Sequence, residues 1–238
     1  MRANSSLVKS NQSSVHEQLA AIVAKHARTQ FLKPITPYNR TAFDISIAAW
    51  RDAGALPLIL DAGCGVGLST LHLASQFPDH FVIGVDQSAD RLGRNTLWPS
   101  ALPNNFMRVR ADLVDYWRLL HDAGIRLTRH YLLYPNPWPK PSHMTRRWHG
   151  HAVFPTIVAL GGHLECRSNW QIYIEECASA LRQLAHSEIT VEQYLPRKPA
   201  SNVRMDRSAS PIQDAITPFE KKYLVSGHML WRCLTHLE

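Results

Sequence analysis

The stretch Leu58-Ile59-Leu60-Asp61-Ala62-Gly63-Cys64-Gly65-Val66-Gly67 decides the fold. Its first half is a short apolar run that stops at a carboxylate, the pattern of a buried strand. Its second half puts glycine at alternate positions, where the backbone bends tightly and approaches a ligand that a Cβ would hold off. Residues 67–76 then read as a helix, with Leu68, Leu71, Leu73 and Ala74 on its apolar face. Strand, glycine turn and helix together are one unit of an α/β sheet.

Outward from this unit the alternation continues. Phe81 to Val85 reads as a second strand ending at Asp86, with a short helix near 88–95. A strand at 106–110, a helix at 113–122, and the strand His130-Tyr131-Leu132-Leu133-Tyr134 follow. Residues 151–160 and 170–185 read as helices around a fifth strand, Gly162 to Cys166. Glu188 to Tyr194 and Met229 to Leu234 supply two more strands. Strands alternating with helices predict an α/β, Rossmann-like, mostly parallel seven-stranded sheet with helices on both faces. Residues 196–215, rich in Pro, Ser and Arg and without periodicity, predict a mobile loop inside this domain.

Before residue 56 the text differs. Residues 1–14 are polar and predict a frayed end, and 15–28 and 40–52 carry helical spacing around breaks at Pro34 and Pro37. The chain thus divides into an N-terminal helical and basic extension, 1–55, and an α/β domain, 56–238. Lys plus Arg exceed Asp plus Glu by 26 − 19 = 7 among 238 residues, a balance that suits a polyanionic partner. The four cysteines form no C-x-x-C pair, so neither a metal site nor a disulfide framework is expected. No stretch has the length and apolarity of a membrane span, which predicts a soluble, cytoplasmic protein without a membrane partner.

Chemistry concentrates at the strand ends. Asp86 stands where an acidic side chain accepts hydrogen bonds from the ribose hydroxyls of an adenosine ligand. The competing role, a helix N-cap, is one that Ser88 can fill. Asp112, after the third strand, reads equally as a ligand for an adenine amine or as an N-cap. Tyr134-Pro135-Asn136-Pro137-Trp138-Pro139-Lys140 follows the fourth strand, and its prolines stiffen the chain around Asn136 and Trp138. Lys140, His143, Arg146, Arg147, His149 and His151 then form a basic run around Trp148, a mixture suited to phosphate contacts and base stacking.

The Asp61 turn resembles the first motif of class I methyltransferases. The segment from Pro135 resembles the signature Pro-Asp-Pro-Trp-Pro-Lys, with its paired arginines, of the tRNA (guanine-N7)-methyltransferase family. Ser168-Asn169-Trp170-Gln171-Ile172-Tyr173 is similar to that family's Thr-Asp-Trp-x-x-Tyr. Thr217-Pro218-Phe219-Glu220-Lys221-Lys222 with Gly227-His228 is similar to its C-terminal pattern. The resemblance implies methyl transfer from S-adenosylmethionine, without a metal, to guanine N7 in tRNA, at position 46. It implies that Asp61, Gly63, Gly65, Gly67, Asp86 and Asp112 bind the methyl donor. Asn136 takes the place of the catalytic-site aspartate beside it, and Lys140, Asn169, Thr217 and Glu220 contact the guanosine. An N-terminal group of cations (Lys25, Arg28, Lys33, Arg40) joins the 140–151 run as the expected phosphate grip. A monomer and a homodimer both stay open.

The sequence departs from the family where Asn136 and Asn169 replace aspartates, and where Ala159-Leu160-Gly161-Gly162 replaces Lys-Pro-Gly-Gly. Asparagine still orients a base through its amide but cannot neutralise charge that develops on it. Weaker or redirected activity is therefore expected. The alternatives are methylation of an exocyclic amine or a small molecule, or a tRNA-binding relative without catalysis.

Overall fold

The computed structural model describes residues 4–94, 98–185, 187–196 and 211–238. Seven strands form one sheet: β1 (Leu58–Ala62), β2 (Phe81–Asp86), β3 (Phe106–Arg110), β4 (Arg129–Leu133), β5 (Gly162–Ser168), β6 (Ile189–Tyr194) and β7 (Leu230–Leu237). Their order is β3-β2-β1-β4-β5-β7-β6, parallel except that β7 runs antiparallel to both its neighbours. β1 and β2 are buried throughout, which is why their sequences are continuous apolar runs rather than alternating ones.

Helices cover both faces. One layer holds α1 (Leu19–Arg28), α2 (Pro37–Asp52), α5 (Leu113–Asp122), α6 (Phe154–Ala159) and α7 (Gln171–Leu184), and its core includes Leu60, Ile83, Trp117, Phe154 and Ile174. The other holds α3 (Leu68–Gln76) and α8 (Pro218–Val225) over Ile59, Val82, Leu133 and Leu230, with the single turn α4 (Ala89–Leu92) nearby. Among the described residues no helix is long and apolar enough to cross a membrane.

Two local expectations change. Pro37 does not interrupt a helix but starts one, because the first helical position needs no N–H, and Thr36 caps it by accepting from Asn39. Of the end read as frayed, residues 1–3 lie outside the described residues, and residues 4–14 are tied to the domain. The Ser5 N–H donates to Ser226 Oγ at 3.2 Å, Ser10 Oγ donates to the Pro139 carbonyl, and Gln12 Nε2 donates to Glu176. A polar segment without periodicity offers no sign of such partners, which lie more than 120 residues away. Of the loop read at 196–215, residues 197–210 lie outside the described residues, as does the end of the helix read at 88–95.

Candidate active site

Because β1 to β4 are adjacent and parallel, Asp61, Asp86, Asp112 and Asn136 all emerge at one edge of the sheet. This is the carboxyl edge, where open α/β sheets bind ligands. The fold thereby assembles residues that are up to 75 positions apart, from 61 to 136.

The turn between β1 and α3 is built from glycine for a visible reason. Gly63, Gly65 and Gly67 have φ values of 82°, 59° and 80°, a region that side chains strongly disfavour. Above Gly65 an added Cβ would meet no atom within 4 Å, so the glycine leaves a cradle that a ligand can fill. The N–H groups of Gly63 and Cys64 both donate to the Val85 carbonyl, at 2.8 and 3.0 Å, which folds the turn against the end of β2. Gly65 N–H donates to Asp86 Oδ2 at 3.0 Å, and Ser88 N–H donates to Oδ1 at 2.8 Å. Arg91 Nη1 lies 3.4 Å from the same Oδ2, so these contacts fix the carboxylate plane and leave a lone pair on Oδ1 for a further donor. Ser88 caps α4 with its own hydroxyl, so Asp86 is not needed as its cap.

Asp61 is 1% exposed and accepts from the Ser69 and Thr70 hydroxyls at 2.6 and 2.7 Å. Burial raises its pKa to about 6, against the pull of those two hydrogen bonds, and the nearby Asp86 charge adds to the rise. A buried carboxylate held near neutrality suits a ligand that brings its own cation. Of the two roles read for Asp112, the structure shows the N-cap. Its Oδ1 caps α5 by accepting from Val114 N–H at 2.8 Å, and its Oδ2 lies 3.5 Å from Lys33 Nζ. Two residues that local pattern did not mark also brace the turn. Trp98 Nε1 donates to the Val66 carbonyl at 3.0 Å, and the Arg108 guanidinium sits 3.9 Å above the Trp98 ring. No spacing rule connects residue 98 with residue 66.

The segment after β4 forms a lip. Tyr134 and Trp138 both have positive φ, 54° and 44°, conformations that cost on the order of 1–3 kcal/mol each unless their surroundings impose them. Asn136, exposed between them, accepts from Trp138 N–H at 3.2 Å through its side-chain oxygen. The Tyr134 hydroxyl donates to Glu220 at 2.7 Å, and Arg167 donates to the same oxygen at 2.9 Å.

The expected guanosine contacts separate into two groups. Lys140 is exposed and Asn169 half-buried, with the Asn169 amide 3.1 Å from His228 Nδ1. Thr217 and Glu220 are 7% and 0% exposed. Thr217 caps α8 by accepting from Glu220 N–H at 2.9 Å, while Glu220 Oε2 accepts from Ile216 N–H at 2.7 Å. They brace Tyr134 and Arg167 from behind rather than face solvent. The phosphate grip also needs correcting: Arg147 and His149 are 0% and 1% exposed, both bound to Glu176 at 2.5 and 2.9 Å, so neither can meet a phosphate. Lys140 and Arg146 stay exposed, and Arg146 lies 4.9 Å from the centre of the Trp138 ring. Lys25, Arg28, Lys33 and Arg40 are exposed as well. A separate concavity of about 370 Å³, lined by Arg129, Tyr131, His163, Glu165 and His236 among others, includes none of the predicted site residues.

A Rossmann-like sheet with this glycine turn and these carboxylates defines the class of S-adenosylmethionine-dependent methyltransferases. The family model described as "Putative methyltransferase" matches residues 55–233, and the chain belongs to that family. The motif-based resemblance is thereby borne out. The chain is 28% identical over 184 residues to the tRNA (guanine-N(7)-)-methyltransferase of Paraburkholderia xenovorans (strain LB400), covering 74% of this chain and 64% of that relative, and so spans less than two thirds of its length. It is 26% identical over 217 residues to the enzyme of the same description from Albidiferax ferrireducens, covering 83% of this chain and 82% of the relative. Among solved structures, an antibiotic-related methyltransferase superposes with a TM-score of 0.54 at 14% identity, covering 90% of this chain and 98% of the other. The 16S rRNA methyltransferase KamB gives 0.52 at 14% identity, covering 87% and 97%. At such identities these two establish the fold alone.

Proposed function

We propose that this chain transfers a methyl group from S-adenosylmethionine to guanine N7 in tRNA, at position 46, in the cytoplasm. The observation that carries the proposal is one sheet edge on which the Asp61, Asp86 and Asp112 carboxylates adjoin the Asn136–Lys140 lip. The similarity to curated tRNA (guanine-N(7)-)-methyltransferases supports the choice of substrate.

S-adenosylmethionine bound here supplies an electrophilic methyl group carried on a sulfonium. Gly63, Gly65 and Gly67 admit its backbone-facing side, and the open space above Gly65 fits that role. Asp61 would offer a buried charge to the methionine ammonium, Asp86 would accept from the ribose hydroxyls, and Asp112 would hold the adenine amine. Asn136 would border both the donor and the base.

Guanine N7 carries a lone pair and no proton, so its attack needs no general base. The residues then act mainly by alignment, an effect able to contribute about 7–11 kcal/mol in favourable cases. Asn136 orients the base through its amide, and Lys140 and Asn169 bound it. Thr217 and Glu220 hold that wall in place. Lys25, Arg28, Lys33, Arg40, Lys140 and Arg146 provide exposed cations for the RNA phosphates.

The test is incubation with labelled S-adenosylmethionine and unmodified tRNA, followed by identification of the modified nucleoside. Label on 7-methylguanosine is the expected result. Label on an adenine or cytosine amine, or only on a small metabolite, would overturn the substrate assignment.

A further inference from the structure

Arg147 has the sequence context of an RNA contact and the surroundings of a core residue. Its guanidinium is fully enclosed and spends its donors on neighbouring chain segments. Nε and Nη2 both donate to the Trp138 carbonyl, at 3.2 and 3.1 Å, and Nη2 lies 3.4 Å from the Lys140 carbonyl. Nη1 donates to Glu176 Oε2 at 2.5 Å, Nη2 donates to Gln12 Oε1 at 3.0 Å, and the group sits 4.8 Å from the Trp170 ring centre. The other Glu176 oxygen accepts from Gln12 Nε2 at 2.5 Å and from His16 N–H at 3.1 Å. Charge balance inside the core is thus complete, and the donors left over point at the lip.

What they hold is the strained residue. Trp138 has a φ of 44°, a conformation that persists where the surrounding structure over-determines it. Asn136 ties its N–H and Arg147 ties its carbonyl. Ser10 Oγ donates to the intervening Pro139 carbonyl at 2.5 Å. The carbonyls of residues 138, 139 and 140 are therefore all engaged on the inner side, while the Asn136 and Lys140 side chains remain exposed. A planar fork reaches two carbonyls and a carboxylate from three separate nitrogens, a spread that the single nitrogen of an ammonium does not match.

We infer that Arg147 is a positioning residue for methyl transfer, clamping the Trp138 and Lys140 carbonyls so that Asn136 is presented to the base, with Gln12 of the N-terminal segment completing the clamp. The inference rests on the reaction proposed above, and its test separates the two. Arg147→Lys keeps a cation for Glu176 and loses the fork. It is expected to bind S-adenosylhomocysteine like the parent by calorimetry, to hold KM for tRNA, and to lose about tenfold or more in kcat. Amide hydrogen exchange should accelerate across 134–144 and stay unchanged across 58–66. His130→Gln, a buried change on β4 that removes none of the Arg147 hydrogen bonds, is the control for general destabilisation and should leave kcat and the exchange of 134–144 unchanged.

Parental kcat and exchange in Arg147→Lys would overturn the inference, and so would cofactor affinity falling in step with kcat. If Arg147→Lys does not fold, Gln12→Ala decides: faster exchange across 134–144 with a lower kcat supports the clamp, and parental values of both overturn it. A parent chain with no activity on tRNA would refute the proposed function, while the exchange comparison would still decide the role of Arg147.

Discussion

The Thr70 hydroxyl donates to Asp61 Oδ2 at 2.7 Å, from a helix that comes this close because residue 84 has no side chain. A Cβ on Gly84 would lie 2.3 Å from Thr70 Oγ1 and 3.1 Å from the Cys64 Cβ. Gly84→Ala should therefore push α3 off β2, cost about 1–3 kcal/mol, and weaken S-adenosylhomocysteine binding at the same time. Thermal melts and calorimetry check both, and a stable variant with parental affinity would refute the link between packing and site.

Asp61 gives the site a pH dependence. Burial raises its pKa to about 6 in the free protein, and a bound ammonium favours the ionised form. The sign follows: binding draws on the ionised carboxylate, so affinity is present above pH 6 and is lost as pH falls through that value. The loss should approach about tenfold per pH unit on the acid side. Asp61→Asn should bind S-adenosylhomocysteine more weakly and with a flat profile between pH 5 and 7.5. Parallel profiles for the two proteins would remove Asp61 from the ammonium site.

His130 predicts the acid limit of stability. It is fully buried on β4, its Nε2 accepts from Trp117 Nε1 at 3.0 Å, and burial lowers its pKa to about 3. Below the ordinary value of 6.5 the unfolded chain takes up a proton that the folded chain refuses. This contribution to stability is whole above pH 6.5 and declines as pH falls toward 3, at up to about 1.4 kcal/mol per unit. His130→Gln keeps an acceptor for Trp117 and does not titrate. Its melting temperature should fall less than that of the parent between pH 6.5 and 4.

Glu220 and Thr217 should act through stability before they act on substrate. Thr217→Ala removes the α8 cap at a cost of about 1 kcal/mol. Glu220→Ala leaves the Tyr134 hydroxyl and one Arg167 nitrogen without their shared acceptor, while Arg167 keeps its ion pair with Glu165, a loss of about 1–3 kcal/mol. Melting curves that barely move, with kcat reduced, would reinstate a direct contact with the guanosine.

Asn136→Asp tests the departure from the family. A carboxylate there would compensate the positive charge on the methylated purine, and kcat on tRNA should rise by roughly tenfold or more. An unchanged or lower kcat, measured by label incorporation, would show that the chain has adapted its lip to asparagine.

The order of elements, the glycine turn and the carboxylates at the ends of β1 and β2 were legible locally. A buried parallel strand is continuously apolar, and a tight turn with positive φ at three nearby positions favours glycine, so neighbouring residues carry that information. The motif text likewise marked Asn136 and Asn169. Partners distant in the chain were not legible. Arg147 and His149 looked like surface cations because nothing nearby reveals that Glu176 waits inside the core. Residues 1–14 looked loose because the acceptors for Ser5, Ser10 and Gln12 lie on Ser226, Pro139 and Glu176. Short-range chemistry determined which residues could hold a methyl donor. Only the packed chain decided which cations stay exposed and which are buried beneath the lip, because burial is set by contacts across the whole fold.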